Sequence, residues 1–385
     1  MDIWDIVVLS CFLISLALTV VVIPKILLIS FKKRLFDIPD ERKVHKGVVP
    51  RLGGVSFFPA ILFSMSFVIA IFSRFLGVDS GITAQKSSEI ALILCGMILL
   101  YLIGIADDLI GARYRSKFII QIICGTLITM SGLWINDLYG IFGIHELPAY
   151  LGIPFSIFVI VFITNAINLI DGIDGLASGL SSVALVVFGL IFLHQGERVY
   201  AMLSFSTLGV LLPFFYFNVF GKVEHGRKIF MGDTGSLTIG MILSVLAIRL
   251  SMNNPEAKYQ LDGAIVIAFS LLIVPVFDVV RVVLHRWREG KHLFKPDKNH
   301  IHHKFLALGY TPRRAMVTIL CISALFAATN IIILPYVNCT VVLLLDIFVW
   351  SVMHLLMSHR IKKIKQAQEP VSYTHLRAHE TSQDL

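Results

Sequence analysis

The sequence predicts an all-α, polytopic integral membrane protein with about eleven transmembrane helices. Three observations point there. Of the 385 residues, 56% are hydrophobic and only 15% charged, with a mean hydropathy of +0.82. The apolar residues gather in runs of bilayer length, and polar motifs follow only the odd-numbered runs. Soluble chains carry about 25% charged residues, whereas roughly 17–25 consecutive apolar residues cross a hydrocarbon core as a helix. Lipid offers no partner to a free backbone N–H or C=O, so helices or a closed barrel are required. The long unbroken runs lack the period-two alternation of a barrel.

In chain order the runs fall at 4–29, 55–73, 89–106, 118–135, 151–167, 175–193, 199–217, 235–251, 263–281, 315–334 and 338–357. The first has no cleavage-like end and leads straight into the next span, so a retained helix is expected rather than a signal peptide. Residues 1–369 read as a single polytopic membrane domain without repeat or long linker. Residues 370–385 are polar and motif-free, read like translated adapter sequence, and are expected to be a non-native or disordered tail.

Basic residues orient the spans. Of 33 Lys and Arg, 26 fall on the side that carries the motifs, including Lys32, Lys33, Arg34, Arg113, Lys117, Lys228, Arg281, Lys304 and Lys362. Arg74, Lys86, Arg198, Arg249 and Lys258 face the other side. This skew makes the motif face cytoplasmic, with the N-terminus outside and the C-terminus inside. The net charge of +8 is then mostly topological bias, and no nucleic-acid partner is expected. The cysteines Cys11, Cys95, Cys124, Cys321 and Cys339 lack metal-finger spacing and are expected as buried small hydrophobes.

Four motifs share the cytoplasmic face by parity: Asp107-Asp108, Asn168 to Gly175, Met231 to Ser236, and His300-Ile-His-His303. Adjacent carboxylates at a membrane boundary are costly unless paired or metal-bound. Asn168, Asp171 and Asp174, three residues apart, would line one helical face. Oxygen donors at this density suit a hard cation such as Mg²⁺. Gly232-Asp233-Thr-Gly-Ser236 opens a span and would present backbone N–H groups to an anion, although an ordinary N-cap reads similarly. His300, His302 and His303 lie in a basic loop with Lys298 and Lys304, where donation to phosphate oxygens competes with zinc binding and with a merely solvated loop. In the first loop, Lys46 and Arg51 stand beside turn residues within reach of a substrate phosphate, while Lys32 to Arg34 suit lipid headgroups. Asn136, Asp137, His145 and Glu146 lie on the other side and read as solvated loop residues.

From about Asp37 to Arg314 the chain resembles the polyprenyl-phosphate N-acetylhexosamine-1-phosphate transferases, of the glycosyltransferase 4 type. Asp107-Asp108, Asn168, Asp171, Asp174 and Gly232-Asp233 match features shared across that family. The loop Pro296-Asp-Lys-Asn-His-Ile-His-His-Lys-Phe305 is similar to the branch that acts on UDP-GlcNAc. The branch specific for UDP-MurNAc-pentapeptide instead carries a consecutive triple histidine.

The resemblance implies transfer of GlcNAc-1-phosphate from UDP-GlcNAc to undecaprenyl phosphate in a bacterial inner membrane, with release of UMP. That reaction would begin an envelope glycan such as lipopolysaccharide or teichoic acid. It also implies Asp233 as ligand to Mg²⁺, or to Mn²⁺ in its place, with Asp107 and Asp108 assisting the metal or the attacking phosphate. Asn168, Asp171 and Asp174 would position the nucleotide and diphosphate. His300, His302, His303 and Lys46 would hold phosphate charge. Another UDP-N-acetylhexosamine is the alternative donor. An ion-coupled transporter is the rival class, but its acids tend to sit near the bilayer midplane rather than at span ends.

Overall fold

Every one of the eleven apolar runs is helical in the computed structural model, which describes residues 2–36, 48–77, 84–253, 259, 261–290 and 299–368. The helices are α1 (Ile3–Lys33), α2 (Phe57–Leu76), α3 (Ala84–Ile110), α4 (Tyr114–Met130), α5 (Ala149–Ile170), α6 (Leu176–Gln195) and α7 (Arg198–Val219). They continue with α8 (Gly232–Ser251), α9 (Ala264–Ser270), α10 (Ile273–Arg288), α11 (Ile301–Ala307), α12 (Pro312–Ile333) and α13 (Cys339–Gln368).

Length and composition recover most of the eleven expected spans. Among the described residues nine helices are long and apolar enough to cross a membrane, or ten if α9 and α10 form one broken span. That pair bends by 77°. Pro275, in the first turn of α10, has no N–H to give the Leu271 carbonyl, so the helical ladder cannot run through the break. The remaining run is α4, whose 17 residues reach about 26 Å at ~1.5 Å per residue, at the short edge of the spanning range; it carries the chain from Lys117 at the motif end to Asn136 at the far end.

Helix α8 is the axis of the bundle, with 94% of its most apolar stretch buried. Its small and hydroxylated residues, among them Gly235, Ser236, Gly240 and Ser244, let neighbouring backbones approach closely. An added Cβ at Gly240 would press on Thr164 of α5, and one at Gly104 of α3 would collide with Thr234. Helices α3 and α5 are accordingly its main neighbours. At the motif end this packing brings the tips of α3, α5 and α8 together.

The far end holds a small hairpin, β1 (Asp137–Ile141) and β2 (Ile144–Glu146), paired antiparallel. Tyr139 in β1 and Phe142 in the turn both sit at φ 52°, a conformation uncommon for non-glycine residues. Asn136 and Asp137 are not ordinary solvated residues. Asp137 is buried, accepting hydrogen bonds from Tyr139 N at 2.6 Å and Asn253 Nδ2 at 2.8 Å, while Asn136 exchanges two hydrogen bonds with Asn253. Cys95 and Cys321 are exposed on the outer surface of the bundle, whereas Cys11, Cys124 and Cys339 are buried as expected.

Candidate active site

Helix α3 ends in two carboxylates with different work. Both oxygens of Asp108 are spent on the start of α8: one accepts from Asp233 N at 2.7 Å, the other from Thr234 N at 2.9 Å and Thr234 Oγ1 at 2.6 Å. A helix start exposes unpaired N–H groups, and a carboxylate there gains charge-assisted bonds. Those N–H groups, expected to face an external anion, are therefore answered from within the chain. Asp108, expected to assist a metal, acts first as the clamp that fixes Asp233.

Gly232, at φ 73°, makes this approach possible. A Cβ at Gly232 would strike the Arg51 carbonyl and the Asp108 carboxylate. The loop before α2 docks on the same segment, with Phe230 N donating to Pro50 O at 2.8 Å and Gly54 N to Met231 O at 2.9 Å.

Asp107 and Asp233 are joined through a cation that sequence reading counted only as part of the charge bias. Lys117 Nζ donates to Asp107 Oδ2 at 3.0 Å and to Asp233 Oδ2 at 2.5 Å. Asn168 Nδ2 donates to Asp233 Oδ1 at 3.2 Å and to Ser236 Oγ at 2.8 Å.

The acidic motif after α5 does not form one helical face. The helix stops at Ile170, Asp171 caps it with φ −74° and ψ 53°, and Asp171 and Asp174 lie in the loop before α6. Lys228 is buried and pairs with Asp174. Asn218 ties the loop down, accepting from Gly175 N at 2.7 Å and donating to Ile229 O at 2.8 Å. Asp171 is exposed, yet desolvation among crowded protein atoms and the charges of Asp174 and Asp233 push its carboxyl up to about 7. For an exposed group the like charges are the sounder cause.

The histidine loop closes the arrangement. Asp278 of α10, 0% exposed, faces His300 Nδ1 at 2.8 Å and accepts from Ile301 N at 3.0 Å. Arg281 holds the other side of Asp278 at 2.9 Å. His300 stacks on His302 at 5.9 Å, and the ring of His303 lies 4.2 Å from that of His302. The His302 imidazole sits against Gly172, where any Cβ would collide with it, so this loop meets the acidic loop directly.

His302 is 2% exposed and its Nδ1 has no hydrogen-bond partner among the described residues. Burial, then His303 and His300, drive its pKa down to about 3. It is a neutral donor or acceptor at physiological pH, not the cation that phosphate binding through charge would need. Lys304 turns away, donating to Ser358 Oγ on α13 at 2.8 Å. Lys46 and Lys298 lie outside the described residues.

The four motifs thus meet at one end of the bundle. Among the described residues, Asp107, Asp108, Asp171, Asp174 and Asp233 stand against Lys117, Lys228 and the nearby Arg51, more carboxylates than cations. Among the described residues no three acids or imidazoles converge tightly enough to cage a metal alone. A hard cation that takes one or two carboxylates and completes its shell with water and phosphate fits Asp107 and Asp233. The ammonium of Lys117 between them marks the place as attractive to positive charge. Sequence reading missed Lys117, Lys228, Arg281 and Asp278. Of these only Asp278 carried a signal, being an acid within an apolar run.

Residues 90–251 match glycosyl transferase family 4. A Bacillus subtilis (strain 168) protein named "probable undecaprenyl-phosphate N-acetylglucosaminyl 1-phosphate transferase" is 31% identical over 327 residues, 84% of each chain. Two proteins named undecaprenyl-phosphate alpha-N-acetylglucosaminyl 1-phosphate transferase are similar as well. The one from Escherichia coli (strain K12) is 31% identical across 78% of this chain and 77% of its own. The one from Yersinia pestis is 29% identical across 79% and 78%.

Proposed function

The chain belongs to glycosyl transferase family 4, and we propose that it transfers GlcNAc-1-phosphate from UDP-GlcNAc to undecaprenyl phosphate, releasing UMP. The product, a lipid-linked diphosphate sugar, would begin an envelope glycan. The observation that carries this reading is the meeting of Asp107, Lys117, Asn168 and Asp233 at one end of a helical bundle, in a chain whose relatives bear that name.

The chemistry brings two anions together. An oxygen of the lipid phosphate bonds to the β-phosphorus of UDP-GlcNAc as the bond from that phosphorus to the bridging oxygen breaks. UMP departs with the electron pair. Catalysis is then mostly alignment and charge neutralisation. A phosphate monoester has a second pKa of about 6 and is largely dianionic at neutral pH, so no general base is needed.

Asp233 and Asp107 would hold Mg²⁺, or Mn²⁺ in its place, which supplies charge neutralisation at the diphosphate when bound. Asp108 holds Asp233 in place through the start of α8, and Asn168 fixes its other oxygen. Lys117 keeps the two carboxylates together and adds positive charge beside the leaving phosphate. Asp171 and Asp174 face the nucleotide side. His302 offers a neutral ring nitrogen, while His300, His303 and Lys46 meet phosphate oxygens. The motif end faces the cytoplasm of a bacterial inner membrane, with the N-terminus outside and the C-terminus inside.

Purified protein with undecaprenyl phosphate and a panel of UDP-sugars tests this reading through UMP release. UDP-GlcNAc should be turned over with Mg²⁺ and without solute flux. Preference for UDP-MurNAc-pentapeptide would move the chain to another donor. Solute flux without UMP release would overturn the transferase reading.

A further inference from the structure

A second feature lies on the other side of the Asp278–Arg281 pair from the carboxylates. Between α10 and α13 runs a groove of about 750 Å³. Its walls are apolar, with Phe277, Val280 and Leu284 on one helix and Ile347, Trp350 and Leu355 on the other. Val280, Leu284, Ile347 and Leu355 are exposed, as residues bordering acyl chains are. At one end the lining turns basic, with Arg281, Arg288 and Lys304.

Among the described residues, unmet polar atoms lie beside the groove. His354 is 5% exposed, yet neither ring nitrogen has a hydrogen-bond partner among those residues. Trp350, 4% exposed and 4.6 Å from the His354 ring, has an unpartnered Nε1, and Arg281 an unpartnered Nε. Buried polar groups are normally satisfied, and each orphan is destabilising. An apolar groove with a basic mouth calls for a ligand that has a long apolar body and an anionic head.

We infer that this groove binds an anionic phospholipid of the surrounding bilayer, its phosphate on Arg281, Arg288 and Lys304 and its acyl chains along the apolar walls. A free phosphate would leave the apolar walls empty. The polyprenyl acceptor is disfavoured because none of Asp107, Asp108, Asp171, Asp174 or Asp233 lines the groove, and its phosphate must react beside them. That last step rests on the proposed transfer, whereas the binding readout below does not.

The site has a route to the histidine loop. Arg281 donates to the Asn299 carbonyl and to Asp278, and Asp278 holds His300. A bound phosphate would therefore brace the loop through Arg281. Arg281 is a positioning residue in this scheme.

The test uses the full-length protein, stripped of lipid in detergent and titrated with dioleoylphosphatidylglycerol, dioleoylphosphatidylcholine or undecaprenyl phosphate. Retained lipid is counted by native mass spectrometry, and the melting temperature is followed in parallel. Phosphatidylglycerol should be retained about tenfold better than phosphatidylcholine and should raise the melting temperature. Two variants probe different parts of the groove: Arg288→Gln with Lys304→Gln removes charge, and Ser351→Trp fills the space while keeping the charges. Each should weaken phosphatidylglycerol retention roughly tenfold without changing melting in lipid-free detergent. Should one variant misfold, the other decides. Equal retention of both phospholipids, or full retention by the folded variant, would overturn the site. Mole-for-mole displacement of phosphatidylglycerol by undecaprenyl phosphate would overturn the choice of occupant.

Discussion

The same helices carry an ion cluster at each end. Helix α3 has Lys86 at its start and Asp107 and Asp108 near its finish, while α8 begins with Asp233 and ends with Arg249. At the far end Glu197 accepts from Lys86 at 2.8 Å and is also paired with Arg249. Burial works to raise the Glu197 carboxyl, but Arg249 and Lys86 outweigh it and hold it below the usual range. At the motif end five carboxylates meet Lys117, Lys228 and Arg51, and Asp171 is pushed up to about 7. A cluster neutralised by its own cations braces the fold. One left short of positive charge among the described residues stores a demand that a ligand or a further cation meets. Partial burial and ion pairing are common to both, so charge balance separates structure from site.

The largest effect expected from this contrast is at Asp233. Asp233→Asn keeps the shape and removes the charge, so UMP release should fall roughly 100- to 1000-fold or more while the protein still folds in membranes. Near-normal turnover at saturating Mg²⁺ would erase the distinction between the two ends. His302 comes next. Because it is neutral at rest, His302→Gln retains a hydrogen-bond donor and should slow turnover only about tenfold, the scale of one neutral hydrogen bond.

His302 also predicts a pH effect. Its folded pKa, about 3, lies below that of an unfolded histidine, near 6.5. The unfolded chain therefore binds the extra proton first, and stability falls as pH drops from about 6.5 toward 3. Melting curves between pH 7 and 5 should be less acid-sensitive in His302→Gln; identical slopes would remove His302 as the cause. The smallest effect on turnover belongs to the far end. Glu197→Gln leaves Lys86 and Arg249 short of a partner and should cost about 2 kcal/mol of stability, between exposed and fully buried pairs. Its UMP release should stay within about twofold of wild type, since nothing in the transfer uses it. A large loss of turnover in the folded variant would show that balance alone does not identify the site.

Much of this was legible along the chain. Asp107, Asp108, Asn168 and Asp233 stood out because polar groups at the ends of apolar runs are conspicuous, and the parity of the runs put them on one face. Their partners were not legible. Lys117 meets Asp233 across 116 positions and Lys228 meets Asp174 across 54, contacts that only helix packing creates. Asp171 and Asp174 were expected on a helix, but Gly172 and Gly175, the latter at φ 76°, end the α-helical path before α6 begins. His302 read as a cation because sequence does not reveal its burial against Gly172. The hairpin escaped because its strands are only five and three residues long, and Tyr139 within the first sits at positive φ. Pro275 did mark the break between α9 and α10, although a hydropathy run smooths over it.

The most direct test is the Mg²⁺ dependence of UMP release in three proteins side by side: wild type, Asp107→Asn and Glu197→Gln. Asp107 is the carboxylate that Lys117 joins to Asp233, and Glu197 is the neutralised acid at the other end of the bundle. Loss of one of two carboxylate ligands should raise the half-saturating Mg²⁺ concentration about tenfold or more in Asp107→Asn, and Glu197→Gln should follow the wild-type curve. The same Mg²⁺ requirement in all three, or full wild-type turnover in excess chelator, would contradict the assignment of the motif-end carboxylates to a catalytic cation.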